Sequence, residues 1–330
     1  MRQTKRNFGK VHKTRLSGQF SQWAVAILLA VCVAPASRAQ QPGQKTFSSA
    51  AEASAALMAA AKDNDQSALL AILGPAGKEI ISSGDSIQDR ERRANIAQKY
   101  AEMHRLMKEP DGTTTLYLGA ENWPLPIPLE NKGKVWFFDT EAGEKEILYR
   151  RVGENELSAI RICQALAAAQ KDYYSSHGDE YAKQIFSDEG QQNGLYWKVA
   201  GGEPQSPIGP LVAAAVAEGY DKGRNGPPTP YRGYLFHVLT SQGPGAPGGA
   251  KNYIADGKMT GGFAFVAYPA MYRSSGVMTF IVGPNGIVYR KDLGKETETI
   301  GKAMKTFNLN STWHRDEDQQ EMTASAQGSK

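Results

Sequence analysis

The stretch 155–176 constrains this chain most, because its apolar residues recur at the spacing of a helix. One apolar stripe consists of Ile160, Cys163, Ala167 and Tyr174, and the neighbouring stripe of Ile162, Leu166, Ala169 and Tyr173. Together they cover about half of the circumference, which is wider than the stripe of about 100° on an ordinary surface helix. The sequence therefore predicts a buried helix from Asn155 to Ser176 that a β-sheet covers. Asn155 is the predicted N-cap, and Gly153 the end of a shorter helix from Thr140 to Arg151.

The first 39 residues have the pattern of a secretory signal peptide. A basic segment precedes an apolar run from Trp23 to Ala34, and Ser37-Arg38-Ala39 forms a small-x-small cleavage site. The alternative is a membrane anchor, but the run is shorter than the ~20 apolar residues that a spanning helix needs. We expect cleavage near Ala39, a linker over 40–46 and a periplasmic or secreted protein with no stable transmembrane anchor.

The net charge of +4 comes from this segment, which holds seven Lys/Arg and no Asp/Glu. The remaining chain has 31 basic and 34 acidic residues, so nucleic acid is not an expected partner. Of the two cysteines, Cys32 lies in the segment to be removed, and Cys163 lies on the apolar face of the helix. We therefore expect no intramolecular disulfide and a buried, inert thiol.

An N-terminal α+β domain is predicted over 47–153. Helices are expected from Phe47 to Lys62, with Ser48 or Ser49 as the cap, from Gln66 to Leu73, and from Asp89 to Lys108 with its Met and Tyr positions in the core. From Thr113 the period changes to two, which predicts three extended segments.

A C-terminal domain of helix plus antiparallel sheet is predicted over 154–313, followed by a disordered tail over 314–330. A helix is expected from Ile208 to Glu218. Strands are expected over 231–240 and 262–268, both covered on two sides, and over 277–282 and 287–290. Asn285-Gly286 supplies the turn of a hairpin. A closing helix is expected from Thr297 to Phe307.

The motifs that resemble ligand sites lack the chemical groups that binding requires. Gly243 to Gly248 matches G-x-G-x-x-G, but two of these residues are prolines without an N–H group and no helix follows, so a flexible connector is expected. Asp221 to Gly226 resembles the start of a calcium loop but has Arg232 where a bidentate Glu belongs. The histidines share no metal-binding spacing. No metal, cofactor or catalytic residue is therefore predicted.

Aromatic residues are the remaining candidates for recognition. Core positions are expected for Trp136 and Phe137. The predicted binding residues are those beside Pro or Gly at strand ends: Trp123, Tyr231, Tyr268 and Tyr272.

Several blocks of this sequence resemble a known bacterial family. They are Trp123 to Leu129, Trp136 to Thr140 with Gly143, Arg150 to Glu156, and Ala267-Tyr268-Pro269 followed by 276–282. In this order they resemble the uncharacterised family named domain of unknown function 2950. That resemblance implies an exported bacterial protein and supplies no catalytic residues.

The C-terminal half is weakly similar to the globular domain of type IV pilins and pseudopilins, in which a helix precedes a small antiparallel sheet. The chain departs from them because no prepilin cleavage motif precedes the apolar run: Trp23 stands five residues after Gly18, where Glu belongs.

Two functions agree with these features. The first is an exported, non-enzymatic interaction or structural protein that binds another protein or a cell-envelope component. The alternative is a small-ligand-binding protein or enzyme with a pocket between the two halves, where Asp139, Arg150, His237 or Tyr268 would converge.

Overall fold

The computed structural model describes residues 40–198, 205–218, 220 and 229–316. The first described part is helical: α1 Ala50–Lys62, α2 Gln66–Leu73, α3 Lys78–Ile81 and α4 Ser86–Glu102. Capping side chains fix where the first two helices begin. The side chains of Ser49 and Asp65 accept hydrogen bonds from backbone N–H groups in the first turns of α1 and α2. The predicted signal segment, residues 1–39, lies outside the described residues.

A sheet of five strands follows: β1 His104–Lys108, β2 Thr114–Leu118, β3 Trp123–Pro124, β4 Leu129–Lys132 and β5 Val135–Phe138. All pairs are antiparallel, in the order β1-β2-β4-β5 with β3 beside β2. The prediction of one helix from Asp89 to Lys108 was wrong at its end, because residues 104–108 pair with β2. Met103 and Met107 are consequently exposed rather than in the core.

The central helix α5 spans Thr140–Ser176 without interruption. The predicted break at Gly153 was wrong, and Asn155 is a buried residue inside the helix rather than its N-cap. The actual N-cap is Asp139, whose carboxylate accepts a hydrogen bond from the Ala142 N–H. A mid-helix glycine costs only about 1 kcal/mol relative to alanine, and packing at both ends of α5 offsets that cost.

The second part of the described chain is an antiparallel sheet covered by helices. Its elements are α6 Gly209–Ala217, β6 Tyr234–Leu239, β7 Ser241–Gln242, β8 Lys251–Asn252, β9 Ile254–Ala255, β10 Lys258–Met259, β11 Ala264–Pro269, β12 Met278–Val282, β13 Val288–Asp292, α7 Thr297–Ala303, β14 Thr306–Phe307 and β15 His314–Arg315. The main sheet has the order β15-β13-β12-β11-β6. Every residue of β11 is buried, because α5 packs on it as well as α7. The fold is therefore α+β, with a long helix followed by a sheet, as predicted.

Three details of this part refine the predictions. The β12–β13 hairpin turns at Gly286, which has φ +75°, as the Asn-Gly pair indicates. The helix expected from Thr297 to Phe307 ends at Ala303. β15 pairs with β13 where the tail was expected to begin, and residues 317–330 lie outside the described chain.

The glycine- and proline-rich loop 243–249 is fixed in place, which contradicts the expectation of a flexible connector. The Gly243 N–H donates to the Phe307 carbonyl at 2.9 Å, and the Gly245 N–H donates to Asn308 Oδ1 at 3.0 Å. From the other side, Gln242 Nε2 donates to the Pro247 carbonyl at 2.9 Å.

Two hydrophobic cores lie on either side of a polar layer. One is built from α1, α2 and the first sheet, and the other from the C-terminal half of α5 and the second sheet. Between them lies a set of buried polar residues that we call the junction cluster: Ser83, Asp85, Gln88, Arg151, Asn155, Ser274 and Ser275. The predicted domain boundary at 153/154 falls inside α5, beside this cluster, and the division into two domains stays a prediction.

Candidate functional site: a polar pocket beside the junction cluster

A pocket of about 380 Å³ opens between α4, α5 and the segment before β6. Its lining residues are Gln88, Glu154, Asn155, Leu157, Ser158, Arg161, Tyr231 and Arg232. Most of them come from successive turns of α5, which is why a continuous helix is needed to form the wall. The volume is within the range of small-molecule sites.

Asp85 joins α4 to the segment before β6. As the N-cap of α4, its Oδ1 accepts from the Gln88 N–H at 3.0 Å. Its Oδ2 accepts from the Tyr220 hydroxyl at 2.8 Å and from the Gly233 N–H at 2.9 Å. Burial, together with the charge of Asp85, raises the pKa of Tyr220 above its ordinary value, so the hydroxyl stays a donor. One carboxylate thus joins the start of α4 to Tyr220 and to the segment before β6.

Asn155 joins α5 to the loop before β12. Its Nδ2 donates to the Ser275 carbonyl at 2.8 Å, and its Oδ1 accepts from Gln88 Nε2 at 2.9 Å. Gly233 lies directly against this amide, with φ +76°, and a Cβ there would be 2.4 Å from Asn155 Nδ2. Both the backbone angle and the space therefore require glycine.

Gln88 has a buried acceptor that no described residue satisfies. The residue is 3% exposed, and its Nε2 is occupied by Asn155, but its Oε1 has no hydrogen-bond partner. A buried carbonyl without a donor costs about 1–3 kcal/mol. Gln88 also lines the pocket, but this oxygen is itself shielded and does not face the open space.

The charges at the pocket are unequally compensated. Arg92 forms an ion pair with Glu154 at 2.9 Å, and Arg232 forms one with Glu218. Arg161 is exposed and has no ion pair with any described residue.

Arg151 connects the junction cluster to α3. Its Nη1 donates to the Glu79 carbonyl at 2.7 Å, and its Nη2 donates to the Ile80 carbonyl. Burial lowers the pKa of Arg151 to about 10. These carbonyls belong to α3, so the guanidinium holds that helix against α5.

The four predicted binding residues lie at different places. Tyr231 lines the pocket. Trp123 lies in β3 with the Arg150 guanidinium 5.5 Å from its ring centre. Tyr268 is 4% exposed and packs against Gly301 of α7. Tyr272 donates its hydroxyl to Asp292 Oδ2 at 3.1 Å. The structure thus brings one of the four to the pocket.

The residues expected to converge on an inter-half pocket do not line this one. Asp139 is the N-cap of α5, and Arg150 pairs with Glu146. His237 Nε2 lies 2.8 Å from the Met304 carbonyl. Tyr268 does not line the pocket either, because its ring packs in the core formed by α5 and the second sheet. The pocket is instead lined by Gln88, which the sequence analysis did not single out, and by Asn155, which it named only as a helix cap.

Comparison with protein families decides where the chain belongs. The sequence matches the family described as Protein of unknown function (DUF2950) over residues 44–315. The chain is a member of this family. No curated protein matches the DUF2950 chain, and no solved structure matches it, so the similarity to pilins stays a prediction.

Two further features of the DUF2950 chain concern metal ions and membranes. No three His, Cys, Asp or Glu side chains among the described residues are grouped to hold a metal ion. No helix in the same part of the chain is both long and apolar enough to cross a membrane.

Proposed function

We propose that this protein is exported to the bacterial periplasm and binds a small polar ligand, without transforming it, in the pocket between α4 and α5. The observation that carries the proposal is the polar lining of the pocket, where the buried residues Gln88 and Asn155 lie beside the side chain of Arg161. Small-molecule sites use a few such polar groups to orient a ligand, so a bound polar molecule would exchange hydrogen bonds with these side chains.

Binding rather than catalysis is supported by the state of the acidic groups. Asp85 accepts three hydrogen bonds, and Glu154 is paired with Arg92. A general base needs a free oxygen within reach of the substrate, and both oxygens of the buried Asp85 carboxylate are occupied. Cys163, the remaining nucleophile of interest, is fully buried, and burial raises its pKa.

Export is supported by the first 39 residues. Their basic segment, apolar run and small-x-small site match a cleavable signal. A periplasmic location is also compatible with the cysteine content of the mature chain, because its one cysteine, Cys163, is buried and forms no disulfide.

The binding function is tested on the mature protein with a panel of sugars, amino acids, short peptides, nucleosides and organic acids. Thermal unfolding should shift upward with one class, since a ligand that binds only the folded state stabilises it. Ser158→Trp fills the pocket and should abolish the shift. Ser175→Trp, at an exposed position on the same helix, is the matched control and should keep it.

The proposal is wrong if no class shifts the transition. It is equally wrong if Ser158→Trp retains the full shift, because the ligand would then be bound elsewhere.

A second candidate is binding of another envelope protein through the exposed face of α5. Tyr149 is 79% exposed and Leu157 is 54% exposed on that helix. Large exposed apolar side chains of this kind are enriched at interfaces. Cross-linking in the periplasm from position 149 would capture a specific partner in this case, and Tyr149→Ser would reduce the capture.

A further inference from the structure

Three methionines of the described chain have strongly exposed side chains, and one of them lies against the junction cluster. Met103 is 43% exposed, Met107 39% and Met271 42%. Met103 directly precedes β1 and Met107 lies within it, whereas Met271 lies in the loop before β12, which also supplies Ser274 and Ser275 to the cluster. We infer that Met271 is a site of oxidation to methionine sulfoxide, and that this oxidation loosens the junction cluster.

The side chain of Met271 packs on the segment that leads into α4. A Cβ added to Gly84 would lie 2.8 Å from the Met271 Cγ and 2.9 Å from its Sδ, so the thioether lies directly on the backbone of this glycine. The residues on either side of Gly84 are Ser83 and Asp85, and both are buried. Gly84 itself is exposed. The thioether therefore covers the exposed point of an otherwise buried turn.

The backbone of Met271 is bonded to the opposite side of the cluster. Its N–H donates to Ser275 Oγ at 2.9 Å, and its carbonyl accepts from the Ser275 N–H at 2.9 Å. The Ser275 carbonyl accepts from Asn155 Nδ2 at 2.8 Å. Met271 thus contacts both the segment that contains Gly84 and the turn that fixes Asn155. A change in the chemistry of its side chain affects the contact between the two.

Oxidation turns this apolar contact into a polar one. A lone pair of the Met271 sulfur attacks one oxygen of hydrogen peroxide, the O–O bond breaks, an S–O bond forms, and the other oxygen leaves as water. The sulfur is oxidised by two electrons and the peroxide is reduced. Hypochlorous acid gives the same sulfoxide and releases chloride and a proton. Because burying a polar group without a partner is costly, the sulfoxide turns toward water and uncovers Gly84.

The test treats the purified protein with hydrogen peroxide or with hypochlorous acid and locates the oxidised residues by peptide mass spectrometry. Met271 should gain one oxygen atom, as should Met103 and Met107, whereas the buried Met58 and Met259 should not. The Tm should fall by about 2–4 °C. The reagent that modifies Met271 at the lower dose identifies the class of oxidant.

Hydrogen exchange measured by NMR shows where the structure loosens. The Gly233 N–H, which donates to Asp85 Oδ2 at 2.9 Å, should exchange at least ~10-fold faster after oxidation. The Gly286 N–H is the internal control. It donates to the Gly283 carbonyl at 3.0 Å at the opposite end of β12, and its exchange rate should not change.

Variants assign the effect to one sulfur atom. Met271→Leu keeps an apolar side chain of similar volume that cannot take up oxygen, so the oxidant should not lower its Tm. Met107→Leu, at a similarly exposed position, should keep the full decrease. Met271→Gln should lower the Tm without any oxidant, and Met107→Gln should not. Methionine sulfoxide reductases supplied with a dithiol remove the oxygen as water and should restore the Tm of the oxidised protein.

The inference is overturned if Met271 stays unmodified at doses that oxidise Met107, or if Met271→Leu loses as much Tm as the wild type. Unchanged exchange at Gly233 after oxidation would also contradict it. Simultaneous oxidation of Met58 and Met259 would reject it too, because the reagent would then act by unfolding the whole protein. None of these measurements involves a ligand, so their outcome is independent of the proposed binding function.

Discussion

Replacing Gly233 by alanine tests whether the junction cluster is as closely packed as its distances indicate. The added Cβ would lie 2.4 Å from Asn155 Nδ2 and 3.0 Å from the Ser275 Cβ. The Asn155 amide must then move and lose its 2.8 Å bond to the Ser275 carbonyl. A buried polar group left without its partner costs about 1–3 kcal/mol. The left-handed backbone at φ +76° adds about 1 kcal/mol for any residue with a Cβ.

Gly286 provides the matched control, because its φ of +75° is nearly identical and no described atom lies within 4 Å of the point that an added Cβ would occupy. Gly286→Ala should therefore cost only the backbone strain, about 1 kcal/mol. Gly233→Ala should cost about 2–4 kcal/mol in total, the sum of strain and the broken contact. Urea denaturation followed by circular dichroism measures both values from the midpoint and slope.

A double-mutant cycle locates the excess cost. In an Asn155→Ala background the amide is absent, so Gly233→Ala should cost no more than Gly286→Ala does. Equal destabilisation by the two glycine substitutions in the wild-type background would refute the packing described for the junction cluster. An excess that persists in the Asn155→Ala background would assign the cost to Ser275 instead.

Four further outcomes are expected. Protein isolated from the periplasm should begin near Gln40 by intact mass, and a mature species that retains residues 23–34 would contradict export as a soluble protein. Cys163 should react with a thiol reagent only as fast as the protein unfolds, because it is fully buried; rapid labelling of the native protein would contradict this. Glu156→Ala should lower the free energy of unfolding by about 2 kcal/mol, since its carboxylate accepts two backbone N–H groups at the start of β12, and Glu156→Gln should cost less. The raised pKa of Tyr220 means that its contribution is complete below pH ~10, where the unfolded tyrosine titrates, and is lost as the pH rises further; Tyr220→Phe should make the alkaline decline in stability shallower.

Sequence periodicity predicted the features that depend on neighbouring residues. The cap at Ser49 and the turn at Asn285-Gly286, where Gly286 has positive φ, are local properties, and both are found. Complete burial of β11 was also predictable, because its residues are apolar on both faces.

The errors arose where distant contacts override local preference. Gly153 has a weak helix propensity, yet α5 continues through it because each end packs on a different core. Residues 104–108 have helical spacing but pair with β2. A pocket between the two halves was one alternative, but its lining was not predicted, because Gln88 and Asn155 lie 67 positions apart and their types alone do not distinguish a buried amide pair from two surface residues.

The composition of the junction cluster has a consequence for the order in which the protein is completed. Its residues come from around the start of α4, the middle of α5 and the loop before β12, and Asp85 also accepts hydrogen bonds from Tyr220 and Gly233. A chain that is synthesised from its N-terminus can complete its first core before residue 275 is made, but Asn155 then still lacks the Ser275 carbonyl that fixes its amide. If the pocket binds a ligand as proposed, full affinity is thus acquired last, and a chain clipped before residue 275 keeps a folded first core with an incomplete pocket wall.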